Sequence, residues 1–391
     1  MDWVNLVARW VHFIAGIAWI GSSFYFVWLD RTLTAPTPSR PGVEGELWMV
    51  HSGGFYQVEK RRIAAGAMPA TLHWFKWEAA LTWATGMLLL ALVYYLSGAS
   101  LLIDPGVAAV SRTQAIALSL GVLIVGWVAY DVTWRSPLAK EEWLPTAVSL
   151  AMLGAVTFLL FRVLSARAAY IHVGALLGTI MVLNVWLRIL PAQQRMIDAT
   201  ARGDVPDFSS GEAAKRRSLH NSYMTLPVLF LMVSSHYPRT WGHELGWLIL
   251  ILLTIAGGAA RHAMIGRGPR RLWALGPMVA CFAAVVLLTS ARLPGSSVAV
   301  TGGDVPRFAD VRAIIHARCL ACHSAYPSDS IYTVAPIGIV FDTPDQIAAL
   351  AARIRERAVV QRTMPLNNST GMTDAERERL GRWVDAGAPR P

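Results

Sequence analysis

A chain that repeatedly runs about twenty apolar residues together has few folds open to it. A hydrocarbon core about 30 Å thick takes about 20 helical residues to cross, and a helix satisfies its own backbone polar groups on the way. Eight such stretches are present, at 3–29, 74–96, 114–130, 143–163, 169–190, 220–236, 245–262 and 273–291, the sixth and seventh being the weakest. The first contains Arg9 and His12 and no small-residue cleavage pattern follows it, so it is expected to remain as a helix rather than leave as a signal peptide. An apolar fraction of 54% against 15% charged residues belongs to the same class, and sixteen Trp suit the two bilayer interfaces. The expected fold is all-α: a polytopic membrane bundle of about eight transmembrane helices over 1–293, a linker at 294–303 and a small helical domain over 304–391.

The net charge of +10 invites a nucleic-acid reading until its location is checked. Lys and Arg outnumber Asp and Glu by 24 to 15 up to residue 303 and by 11 to 10 beyond it, so the excess lies in the apolar part. Within that part, alternate loops hold 18 basic residues on one side, Lys60, Arg61, Arg188 and Arg217 among them, and 6 on the other. That asymmetry is how membrane orientation is written, and it sets both termini outside. A Walker-type or G-x-G-x-x-G phosphate loop is absent.

Three cysteines divide into two kinds. Cys281 sits in an apolar run as a small buried hydrophobe. Cys319-Leu-Ala-Cys322-His323 is the covalent heme c attachment sequence, in which two thiols bridge the porphyrin and the histidine presents its imidazole to the iron. Met364, followed by Pro365, is the expected second axial ligand, and Met372 is expected to pack. A helix before Cys319, another near 344–358 and a last one from Thr373 to Ala386, opened by a Thr373/Glu376 capping box, complete a small class I cytochrome c domain. Covalent heme of this type is attached outside the cytoplasmic membrane, which agrees with the orientation read from the loops. The expected location is a bacterial inner membrane with the cytochrome domain periplasmic.

Eight of the ten His lie in the membrane part, where ionisable residues are costly and line sites. His12, His172 and His236 fall near the outer face and are candidate ligands for a noncovalent heme b. Near the cytoplasmic face lie His51, Phe55, Tyr56 and Lys60 in one loop, His73 and Glu78 at the start of the second span, Asn184 and Arg188 at the end of the fifth, and His220 and Asn221 entering the sixth. Cations, aromatic faces, amides and a base suit a planar, anionic, hydrogen-bonding substrate, and His73 or Glu78 is the candidate base, with His51 and His220 beside them.

The His51-Ser-Gly-Gly-Phe-Tyr run, the His73-Trp-Phe-Lys-Trp-Glu run, Asn184-Val-Trp, the His220-Asn-Ser-Tyr-Met-Thr-Leu-Pro run, Ser235-His236-Tyr-Pro and the terminal C-x-x-C-H segment together resemble the bacterial membrane-bound, cytochrome c-linked urate hydroxylase family. The likeness covers essentially the whole chain; it departs at Ser52, where the family tends to carry a third glycine, and after His262, where it carries more aromatic residues. The resemblance implies oxidation of urate to 5-hydroxyisourate with water as oxygen source, and electrons leaving through the cytochrome domain to a terminal oxidase or a soluble cytochrome. Two other readings stay open from the residues alone. One is a membrane dehydrogenase for another small molecule, and the other a membrane-anchored electron carrier without catalysis.

Overall fold

The computed structural model describes residues 2–64, 68–96, 101–205, 207–266, 268–290, 305–329, 332 and 334–390; the expected linker at 294–303 lies outside the described residues. The chain begins with α1 (Asp2–Thr32), then turns through a hairpin of β1 (Val43–His51) and β2 (Gly54–Arg61). Helix α2 (Trp77–Leu90) widens into a π-helical turn over Ala91–Tyr95, and α3 (Arg112–Thr133) and α4 (Trp143–Val163) follow. Helix α5 (Ala166–Asn184) runs through a second π-turn, Val185–Ile189, into α6 (Leu190–Arg202). Then come α7 (Phe208–Val233), the short α8 (Pro238–Trp241), α9 (Gly246–Ile265) and α10 (Leu275–Ser290).

Capping chemistry explains several helix starts. Ser111 and Gln114 form a reciprocal capping box on α3, the Ser165 hydroxyl accepts from the Ala168 N–H on α5, and the Asp207 carboxylate accepts from the Ser209 N–H on α7. Seven described helices are long and apolar enough to cross a membrane, against the eight expected. The expected sixth span lies in α7, whose first half carries Glu212, Lys215, Arg216 and Arg217 and so fails on composition. Tertiary packing holds it instead: α7 lies between α5 and α9, and Gly257 leaves room for Pro227, whose Cδ would stand 3.0 Å from an added Cβ. On α1 and α10 large apolar side chains such as Trp10, Phe13, Phe282 and Leu287 face outward, as lipid-facing surfaces do.

The ends of the helices sort into two faces. On one, Arg112 donates to the Tyr95 carbonyl, Ser165 to that of Leu101 and Tyr170 to that of Gly246. On the other, Arg188 and Arg217 from α6's approach and α7 meet Asp131 at the end of α3, Tyr223 of α7 meets His262 of α9, and Lys60 of the hairpin meets Asp30 of α1. This hairpin face was expected to be a loop. The segment pairs instead from Val43↔Arg61 to His51↔Gly54, with Ser52 and Gly53 both at positive φ (50° and 78°) in a two-residue turn of the type I′ kind. A third glycine at position 52 suits that turn for this reason.

The C-terminal region sits on the opposite face. It comprises α11 (Phe308–Arg318), α12 (Pro344–Ala349), α13 (Ala351–Ile354) and α14 (Asp374–Asp385), around a hydrophobic cluster that includes Val311, Ile315, Leu380 and Trp383. Met372 is buried in that cluster, and the Thr373/Glu376 capping box opens α14. Leu366 reaches out of the region to pack on the cluster formed by α2, α3 and α5. Arg239 pairs with Glu356 at 2.9 Å, and Thr363 closes over Gly242 so tightly that a Cβ there has no space.

Candidate functional site

At the hairpin face, one acid organises the bundle. Asp131, the only acidic residue within α3, is 3% exposed and takes Arg188 Nε at 2.8 Å and Arg217 Nη2 at 2.9 Å. The π-turn at Val185–Ile189 adds a residue to one helical turn just before Arg188, which sets its reach to α3. Arg217 also lies over the Tyr130 ring at 4.8 Å. Arg135, one turn further along the chain, adds a third cation at 3.6 Å; Asp131 and Arg217 are buried, while Arg188 keeps part of its side chain exposed.

Against this ionic knot lies a neutral relay. Asn184 Nδ2 donates to Tyr130 Oη (3.1 Å) and to Asn221 Oδ1 (3.0 Å), and Asn221 Nδ2 donates to the Met181 carbonyl (2.9 Å). Tyr130 Oη stands 2.7 Å from His220 Nδ1, and Asn184 already donates to that oxygen, so the tyrosine proton is free to go to the imidazole. Trp134 covers the imidazole at 4.0 Å between ring centres. Several atoms in and around this network lack partners: Asn184 Oδ1, Arg217 Nη1, Glu78 Oε2 and Trp186 Nε1 are buried with no hydrogen bond among the described residues. Unpaired buried polar atoms are rare enough to mark where a polar ligand or water belongs.

The structure thus brings together four residues singled out from the sequence, Asn184, Arg188, His220 and Asn221, and adds Tyr130, Asp131, Trp134 and Arg217. It does not bring in His51, Phe55, Tyr56, Lys60 or His73, and Glu78 comes near it through its neighbours Lys76 and Trp77, which pack on Trp186. His51, Phe55, Tyr56 and Lys60 lie on the hairpin; Phe55 is 80% exposed, and Lys60 Nζ pairs with Asp30 at 2.8 Å. His73 is exposed and packs edge-on against Phe75, while Glu78 is half-buried on the first turn of α2. Beside Glu78, the Lys76 ammonium stands 5.7 Å from the rings of Trp74 and Trp77 and 5.8 Å from Trp186, which ties α2 to the π-turn of α5.

On the other face, the attachment sequence has the local geometry a heme c needs. His323 Nδ1 lies 3.0 Å from the Ile339 carbonyl, which fixes Nδ1 as the protonated nitrogen and leaves Nε2 for iron. Cys319 and Cys322 are free of disulfide; burial pushes their thiols up to about 12 and about 11, so both stay protonated at neutral pH. Met364 packs against the same cluster as Cys319, and its carbonyl accepts from buried Arg377 at 2.8 Å. Arg377 also donates to Asn368 at 3.1 Å and to the Ala358 carbonyl, and so braces the Met364 loop. These residues fit the group.

Of the three histidines expected to bind a second heme, only His12 lines a cavity. That cavity, about 590 Å³, lies among α1, α2, α5 and α7. His172 is fully buried and turns away from it, with Nδ1 at 2.7 Å from the Ala168 carbonyl and Nε2 at 3.1 Å from Tyr95 Oη. Both of its nitrogens are engaged, so pairing it with His12 on one iron does not match this geometry. His236 is exposed in the single helical turn that follows α7, and its neighbour Ser235, rather than His236 itself, lines the cavity.

Long helices with apolar outer surfaces, a buried ionic knot at one end and a C-x-x-C-H region docked on the other define a polytopic helical membrane-type protein. The family model for the urate oxidase N-terminal region matches residues 1–291, and the chain belongs to that family, which makes it a urate-related oxidoreductase. No curated protein and no solved structure matches it.

Proposed function

We propose that the chain oxidises urate to 5-hydroxyisourate in its membrane domain, residues 1–293, and passes the electrons to heme c carried by residues 304–391 on the periplasmic side of a bacterial inner membrane. The reaction balances as urate plus water giving 5-hydroxyisourate, two protons and two electrons, the water oxygen bonding to C5 of the purine. Cys319, Cys322, His323 and Met364 would hold heme c, which would supply a one-electron acceptor able to reduce a terminal oxidase or a soluble cytochrome.

The observation that carries this reading is the family match, joined to the unpaired polar atoms at the inner ends of α2, α5 and α7. Urate offers alternating ring N–H donors and carbonyl acceptors around a flat ring. Asn184 and Asn221 read its edge, Arg217 and Arg188 favour its anion, and Trp186 offers an indole N–H. Glu78, half-buried with Oε2 unpartnered, takes the proton released as water adds, and His220, relayed through Tyr130, carries a second. We assign exposed His73, His51, Phe55, Tyr56 and Lys60 to the approach to this site rather than its floor.

Turnover in water enriched in ¹⁸O, under argon and with ferricyanide as final acceptor, tests the reading. One labelled oxygen per 5-hydroxyisourate and two ferricyanide reduced per urate are expected. Unlabelled product, or an absolute need for dioxygen, would overturn it.

A further inference from the structure

The cavity that His12 lines has no part in the urate chemistry above, yet it is built to a definite plan. Its walls are apolar, and no Asp or Glu lines it among the described residues. His12 Nδ1 lies 2.9 Å from the Thr82 carbonyl and 3.1 Å from Thr85 Oγ1, so Nδ1 carries the proton and the Nε2 lone pair is free. Gly86 permits this pose, since a Cβ there would stand 3.0 Å from His12 Cε1. A carbonyl behind Nδ1 is how a protein orients an imidazole that ligates metal, and His323 is held in the same way.

Two further features set the shape and polarity of the ligand. Gly16 of α1 and Gly174 and Gly178 of α5 line the cavity; a Cβ on Gly174 would press on Leu231 at 3.1 Å, and nothing lies within 4 Å of the position a Cβ on Gly178 would take. Facing helices stripped of side chains leave a slot for a flat molecule. Arg9 and Arg167 stand at the end of the cavity nearest the C-terminal region, and Arg167 Nε is buried with no partner among the described residues. Tyr332 of that region hydrogen-bonds with Arg167 and lies within electrostatic reach of Cys322, which places the attachment sequence toward this end.

A flat apolar body, one free imidazole nitrogen and two cations at one edge describe a tetrapyrrole with carboxylate side chains. We infer that this cavity holds a noncovalent b-type heme, with His12 Nε2 as its one histidine ligand and its propionates toward Arg9 and Arg167, beneath Cys322. The inference deepens the proposed function, for it supplies a carrier between a site at the hairpin face and heme c, and it rests on that reading only for its role, not for its occupancy.

The test reads heme content without urate. Full-length protein is purified from cells supplied with 5-aminolevulinate and assayed by pyridine hemochrome after dithionite reduction. The expected b to c ratio is 1:1. His12→Ala is expected to lose the b component and keep heme c, and Gly178→Leu, which fills the slot without touching the ligand, is expected to do the same. Wild-type protein holding heme c alone, or extractable quinone with no heme b, would overturn the inference, as would a b component that survives both substitutions. None of these outcomes depends on whether urate is the donor.

Discussion

The two ends of the membrane bundle solve opposite problems with similar helices. At the hairpin face, charges and amides fill the space between α3, α5 and α7, and almost every group has a partner there. At the C-x-x-C-H face, α1, α2, α5 and α7 line a cleft of about 590 Å³, open on one side, between apolar and glycine surfaces. The first arrangement orients a small polar molecule through a few unpaired atoms and tolerates little change. The second depends on what is left out, a Cβ at Gly86 or Gly178. On the reading proposed above, chemistry on a polar substrate would belong with the first and electron carriage with the second.

The sharpest way to break this comparison is at its ionic centre. Asp131→Asn leaves buried Arg217, and partly exposed Arg188 beside it, without their counter-charge, a change that costs about 3–5 kcal/mol when one partner of a buried pair is removed. Greatly reduced accumulation in membranes, or a thermal midpoint well below wild type in detergent, is expected, with activity lost alongside. Near-normal stability would show that the knot does not hold the inner half together.

A smaller effect should separate binding from folding. Asn184→Ala and Asn221→Ala each remove amide contacts worth about 1–2 kcal/mol toward a hydrogen-bonding ligand, so KM for urate should rise about tenfold with heme c content unchanged. A KM equal to wild type in both would move the substrate away from this network.

Within the C-terminal region, Glu376 offers a pH signature. Burial pushes its carboxyl up, but hydrogen bonds from Thr373 and Arg318 outweigh burial and hold it below the ordinary value of 4.5. A depressed carboxyl contributes stability above its unfolded value and loses it as pH falls through the folded one. Glu376→Gln should therefore lower the unfolding temperature of the C-terminal region at pH 7 by a few degrees and make no difference well below pH 4.5. A difference that persists at low pH would assign the effect to packing.

The smallest effect concerns the hairpin. Ser52→Gly should relieve about 1 kcal/mol of left-handed backbone strain and slow proteolytic nicking of the segment, with turnover unaltered if the hairpin only lines the approach. Faster nicking would contradict the type I′ turn.

Legibility followed locality. The Thr373/Glu376 cap joins residues three positions apart, and the capping box expected from the sequence is the one that opens α14. The inner network joins α3, α5 and α7 across 37 to 90 positions, as in Asn184 to Asn221 and Tyr130 to His220, and periodicity carries no such information. One signal was present: Asp131 is the lone acid in an apolar span, where a buried charge needs partners. Ser52-Gly53 between strand-forming runs was another, a two-residue turn that marks a hairpin rather than an open loop. His172 and His236 shared a depth with His12 in the sequence, but facing is decided by helix rotation, and His172 points toward Tyr95.

The central claim is that urate bound in the membrane domain delivers its electrons to heme c. Anaerobic addition of urate to membranes that hold this protein and no other urate-oxidising enzyme, followed at the reduced heme c absorption band, tests it most directly. Prompt reduction that is absent in a Cys322→Ala variant is the predicted result. An unchanged band, in membranes whose heme c dithionite reduces fully, would contradict the account.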